Sequence, residues 1–139
     1  MKNIKFLVTI FIITLVTSSM SVFAYGTGIL TIKNQTVPGF NGSWKSSPRS
    51  KITSGTQTIT KVDTTRSLDV KLEYGANGSY ATVSDWYLLQ SGTDITFPDN
   101  GIKSWYPSFS LGDYRLYVDS RITYVNNTTI NKAVYNPGN

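Results

Sequence analysis

The stretch GDYRLYVDSRITYV, Gly112 to Val125, carries the densest set of residues able to hold a ligand. In an extended chain, side chains alternate between two faces. Tyr114, Leu116, Val118, Ser120, Ile122 and Tyr124 then share one face, and Arg115, Tyr117, Asp119, Arg121 and Thr123 the other. The first set belongs in a core. Within the second, Arg115, Tyr117 and Arg121 form a flat aromatic and cationic platform suited to an anionic or sugar ligand. The same row is also what the wet side of an antiparallel strand looks like, with charges that set register and keep the surface soluble.

Two further stretches combine aromatic rings with cations. GFNGSWKSSPRSK, Gly39 to Lys51, holds Phe40, Trp44, Lys45, Arg49 and Lys51 in a Gly/Ser/Pro-rich segment that reads as a long loop. A loop tryptophan beside cations suits stacking on a sugar ring; it also suits closing one end of a core. GIKSWYPSF, Gly101 to Phe109, offers Lys103, Trp105 and Tyr106, although Trp105, Pro107 and Phe109 alternate as a buried strand would. If both stretches lie at one end of the molecule, Trp44, Lys45, Arg49, Lys103, Trp105 and Tyr106 make a single aromatic-cationic patch. In SDWYLLQ, Asp85 falls on the same parity as Val83, Tyr87 and Leu89. A regular strand would bury that carboxylate at a cost. A bulge or break at Ser84-Asp85 would re-face the chain.

Several chemistries are closed to this chain. It has no histidine and no cysteine, so the commonest general base, the commonest metal ligand and the thiol nucleophile are missing. Glycoside hydrolysis needs two carboxylates across one bond. Beyond the first 24 residues the acids are one glutamate, Glu73, and seven aspartates, most of them in turns or alternating with Lys and Arg. No loop has the clustered acids of a calcium motif. No catalytic residues, metal site or cofactor are expected; two carboxylates converging in one deep cleft would be the observation that reopens catalysis.

The elements that must position these residues are strands. Helical periodicity is almost absent, while Thr, Val, Ile, Tyr and Trp abound. Turn signals such as YGANGS, QSGTD, PDNG and VNNTT recur about every ten residues, the spacing of a sandwich or barrel of short antiparallel strands. The expected fold is all-β: a single antiparallel β-sandwich, Ig-like or jelly-roll-like, of about seven or eight short strands. They are expected at Gly28–Val37, Gln57–Val62, Arg66–Tyr74, Tyr80–Gln90, Thr93–Phe97, Lys103–Phe109, Tyr114–Val125 and Thr128–Tyr135. Asn77-Gly78 is the strongest hairpin cue. If RSLDVKLEY pairs with the Gly112–Val125 stretch, charge matching favours Arg121 against Asp69 and Asp119 against Lys71. A two-residue slide would oppose Asp119 to Asp69, or Arg121 to Lys71 and Asp119 to Glu73.

The first 24 residues read as a leader: Lys2 and Lys5, the apolar run Phe6 to Val16, then Val22 and Ala24 at the small-residue positions of a cleavage site. The run is too short for a membrane span of about 20 apolar residues. Export with cleavage after Ala24 is expected, leaving residues 25–139 as the β domain and no stable span. With Lys2 and Lys5 gone, 11 basic residues face eight acids, a balance of +3. That is too small for a nucleic-acid binder. A small exported domain without disulfides points to a bacterial protein held by packing alone. In size, export and strand composition it resembles secreted bacteriocin-like proteins of Gram-positive bacteria, which implies a toxin acting on the envelope of competing cells. The leading expectation is a secreted, non-enzymatic protein that binds a cell-wall polymer or a surface protein.

Overall fold

The computed structural model describes residues 25–53, 55–76, 78–97, 111–121 and 123–139. The strands in chain order are β1 (Leu30–Val37), β2 (Ser43–Lys45), β3 (Arg49–Lys51), β4 (Gln57–Thr64), β5 (Leu68–Ala76), β6 (Ser79–Thr82), β7 (Tyr87–Leu89), β8 (Ile95–Phe97), β9 (Gly112–Asp119) and β10 (Thr128–Asn136). They form two antiparallel sheets. One has the order β1-β10-β4-β8; the other runs β2-β9-β5-β6, with β3 also on β9 and β7 also on β5. The expected all-β antiparallel sandwich is therefore present, with more and shorter strands than the turn spacing implied.

The inward sets of the two sheets make one core. Ile32, Ile59, Phe97, Ile130 and Tyr135 of the first meet Leu68, Val70, Leu72, Leu116 and Val118 of the second. Each of these large side chains, fully buried, contributes about 1.5–3 kcal/mol. Tyr87 and Phe97 bridge the layers edge-to-face, with ring centroids 4.9 Å apart. Alternation on β9 is as the sequence predicts: Tyr114, Leu116 and Val118 are buried and Arg115, Tyr117 and Asp119 lie outward. The strand stops at Asp119, short of the expected Val125.

Three other expectations meet the structure differently. The hairpin expected at Asn77-Gly78 is present, since Ala76 pairs with Ser79 and Gly78 takes φ +83°, a conformation glycine adopts freely, while Asn77 lies outside the described residues. The single strand expected over Tyr80–Gln90 is two, broken between Thr82 and Tyr87. Ser84 holds the break: its hydroxyl accepts from the Leu72 amide at 2.8 Å and donates to the Asp85 carbonyl at 2.8 Å. Asp85 is thereby exposed, so the break resolves its parity conflict. The Gly39–Lys51 loop is a correction. It supplies β2 and β3, two three-residue edge strands laid along β9. The strand expected at Lys103–Phe109 lies outside the described residues.

The register of β5 on β9 is a second correction. Asp69 pairs with Asp119, Lys71 with Tyr117, Glu73 with Arg115 and Tyr74 with Tyr114. Charge matching at the Asp69 end had favoured a register two residues away. The decisive pair lies further along. Arg115 Nε donates to Glu73 Oε2 at 2.7 Å, with the two side chains 18% and 9% exposed. The rejected register would have set Arg115 against Gly75. A nearly buried, charge-assisted bond outweighs the opposition of Asp119 to the more exposed Asp69.

Candidate binding surface

The outer face of the six-stranded sheet gathers side chains in cross-strand rows. In the central row Lys45 of β2 and Lys71 of β5 flank Tyr117 of β9, with Nζ to ring-centroid distances of 5.3 and 4.7 Å. Trp86, just ahead of β7, lands beside them. Its ring meets Tyr117 edge-on at 5.8 Å, and Lys71 Nζ lies 4.6 Å from its centroid. The Ser84 anchor sets this placement, because it fixes where the chain re-enters the sheet. Each such cation–ring contact, at a partly exposed site, contributes about 0.5–1 kcal/mol and stiffens the row.

A second row pairs Glu73 with Arg115, whose guanidinium carbon sits 3.9 Å over the Tyr80 ring. A third sets Asp69 opposite Asp119, with Arg121 Nη2 3.5 Å from Asp69 Oδ1. Beside that row opens a cleft of about 590 Å³ lined by Asn41, Asp69, Trp86, Asp119, Ser120, Arg121 and Thr123. Trp86, 49% exposed, is the one aromatic side chain lining it among the described residues. Every other lining residue can donate or accept hydrogen bonds.

Burial, and then the opposed Asp69, hold the Asp119 carboxyl above its ordinary value of 3.8. Folded Asp119 therefore keeps its proton better than the unfolded chain does. Stability falls as pH rises from that ordinary value through the raised one. Asp119→Asn is expected to raise the melting temperature at neutral pH and to flatten its acid dependence. Melting curves between about pH 4 and about pH 7 check this, and a variant with the wild-type profile would contradict it.

The residues singled out in the sequence divide between the two faces. Arg115, Tyr117 and Arg121 all lie on the outer side. Lys45 joins them through Tyr117. Trp44 pairs with Val118, points inward and packs half-buried against the core. Arg49 pairs with inward-facing Tyr114, and its Nε is buried. Trp44 and Arg49 thus do not join Lys45 in one patch, because alternation separates them. Lys103, Trp105 and Tyr106 lie outside the described residues. Trp86 is the residue that sequence reasoning passed over, although a signal existed. In SDWYLLQ it sits on the parity opposite Tyr87 and Leu89, which puts a tryptophan on the polar face of a strand.

No family model matches the chain, and no curated protein does. Among solved structures it is similar to a chain titled "Crystal structure of PirA", at TM-score 0.44 and 11% identity, over 77% of this chain and 91% of that one. A likeness of that strength carries no functional argument.

Proposed function

We propose that the protein is a binding module that holds a glycan of the cell envelope on the outer face of the six-stranded sheet. One observation carries the reading: Trp86 stands half-exposed in a cleft otherwise lined by hydrogen-bonding side chains. A sugar ring has an apolar C–H face and a rim of hydroxyls. The indole suits the face; Asp69 and Asp119 accept from hydroxyls, Arg121 donates, and Asn41, Ser120 and Thr123 do both. The stacked Lys45, Lys71 and Tyr117 hold the platform rigid before any ligand arrives, which lowers the entropy lost on binding. The reading takes the protein to be exported, on the leader pattern of residues 1–24.

The test is retention of purified protein on isolated cell-wall sacculi and on a panel of soluble polysaccharides. Trp86→Ala is expected to weaken binding about 10- to 100-fold, the scale of one lost stacking contact of about 1–3 kcal/mol. The inward Trp44→Phe should leave affinity unchanged. Equal retention of Trp86→Ala and wild type, or no retention of wild type on any glycan, would end this reading.

The Asp69–Asp119 pair favours a second reading, glycoside hydrolysis, since two carboxylates do converge in this cleft. It ranks below binding because Arg121 already engages Asp69 and the cleft is open to solvent. Release of reducing ends from the same polysaccharides, abolished by Asp119→Asn, would promote it over simple binding.

A further inference from the structure

The two most exposed large apolar side chains among the described residues are Phe40, at 69%, and Val125, at 63%. They lie 85 positions apart in sequence, yet their loops are tied into one tip. The Phe40 amide donates to the Tyr124 carbonyl at 2.8 Å, and the Gly39 amide to Asn127 Oδ1 at 3.2 Å. Gly39 lies so close to Val125 that a Cβ there would stand 2.5 Å from the Val125 carbonyl oxygen. The turn beneath is closed by Tyr124 donating to the Arg121 carbonyl at 2.9 Å, and Ser120 donates to the Gly42 carbonyl at 2.9 Å.

The backbone makes this exposure more telling. Phe40 and Asn41 both take left-handed conformations, at φ +53° and +58°. A bulky aromatic there is unfavourable and persists only where its surroundings hold it. Here the hydrogen bonds just described hold the loop, and what they hold outward is a phenyl ring. Around the tip stands a polar collar. Tyr124 carries Arg66 over its ring at 5.4 Å, and its hydroxyl lies 3.2 Å from Ser67 Oγ. Arg66 and Arg121 are both exposed. The nearest carboxylate with a partner in the collar is Asp69, which Arg121 engages.

We propose that this tip docks on an anionic lipid surface. The kinds of group gathered here are those of a bilayer interface: exposed apolar side chains, a tyrosine and arginines. Phe40 and Val125 would enter the acyl boundary, Tyr124 would lie at the headgroups, and Arg66 and Arg121 would meet lipid phosphate. Charge favours a lipid over an apolar protein groove, because Arg66, held over the Tyr124 ring, has no ion pair among the described residues, and Arg121 keeps a long, exposed contact to Asp69 at 3.5 Å. The tip borders the glycan cleft, which Asn41, Arg121 and Thr123 also line, so the two proposals are told apart by their variants, Phe40→Ser for the lipid and Trp86→Ala for the glycan.

The test is co-sedimentation of purified protein with vesicles of phosphatidylcholine alone and of phosphatidylcholine with about one-third phosphatidylglycerol. Binding to the anionic vesicles is expected, weakened by salt and by about five-fold in Arg66→Ala. Phe40→Ser should lower it about ten-fold or more. Because that change also alters a constrained loop, Phe40→Trp gives a second readout. Its added fluorescence should be quenched by brominated acyl chains, while Trp86→Ala should bind vesicles as the wild type does. Absence of binding to anionic vesicles, or equal binding of Phe40→Ser, or an unquenched Phe40→Trp would overturn the proposal. Equal binding of Phe40→Ser would turn attention to a protein partner.

Discussion

Glu73→Ala is expected to remove about 3–5 kcal/mol of folding stability. That is a large share of the about 5–15 kcal/mol that holds a domain together. The loss comes less from the missing bond than from what remains. Arg115 is only 18% exposed at its side chain, and its guanidinium would be left without the Glu73 carboxylate. Its other close neighbour, the Tyr80 ring at 3.9 Å, offers a cation–ring contact but no counter-charge. Removing one member of a buried pair therefore strands the other, whereas removing both relieves two desolvation penalties together. The double variant Glu73→Leu/Arg115→Leu should recover most of the loss, and denaturant titration of the full cycle measures the coupling. A Glu73→Ala protein within about 0.5 kcal/mol of wild type would mean that the pair behaves as an exposed one.

Lys51→Met is expected to cost about 2–5 kcal/mol, concentrated at one end of the molecule. Lys51 shows no exposed surface. Its ammonium donates to the Pro137 carbonyl at 3.0 Å and to the Gly55 carbonyl. Burial holds its pKa below the ordinary 10.5, so the folded state gains stability as pH rises from that lowered value toward 10.5. Methionine fills similar volume but leaves both carbonyls without that donor, at about 1–3 kcal/mol each. The same site fastens the last residues. Asn139 Oδ1 accepts from the Ile52 amide at 2.7 Å, its Nδ2 donates to the Ser50 carbonyl at 2.7 Å, and Thr53 Oγ1 donates to the Gly138 carbonyl at 2.6 Å. Hydrogen exchange should show residues 50–53 and 136–139 opening well before the core of β5 and β9. Uniform loss of protection across both sheets would contradict that picture.

How much of this was legible follows from the range of each interaction. The alternation along Tyr114–Asp119 and the Asn77-Gly78 hairpin are local, and both were readable from short windows. So was the break at Ser84-Asp85, because a carboxylate on a core parity has few other outcomes. Strands β2 and β3 were not readable. Three residues, SWK or RSK, carry no alternation, and they become strands only because β9 offers them an edge. The β5–β9 register turned on burial: Glu73 and Arg115 were visible, but not that they would meet nearly enclosed on that face. The candidate surface divides the same way. The parity of Arg115, Tyr117 and Arg121 was local, whereas the approach of Trp86 to Tyr117 and Lys71 depends on where a broken strand rejoins the sheet.

The central claim is that Trp86, not Trp44, meets the ligand. Its most direct test is a two-dimensional nitrogen–proton spectrum of the indole groups, assigned with Trp86→Phe and Trp44→Phe and followed during titration with solubilised wall glycan. The Trp86 indole resonance is expected to move with saturation while that of Trp44, packed against the core, stays in place. Movement of the Trp44 signal with Trp86 unchanged would contradict it and return the binding site to the opposite side of the sheet.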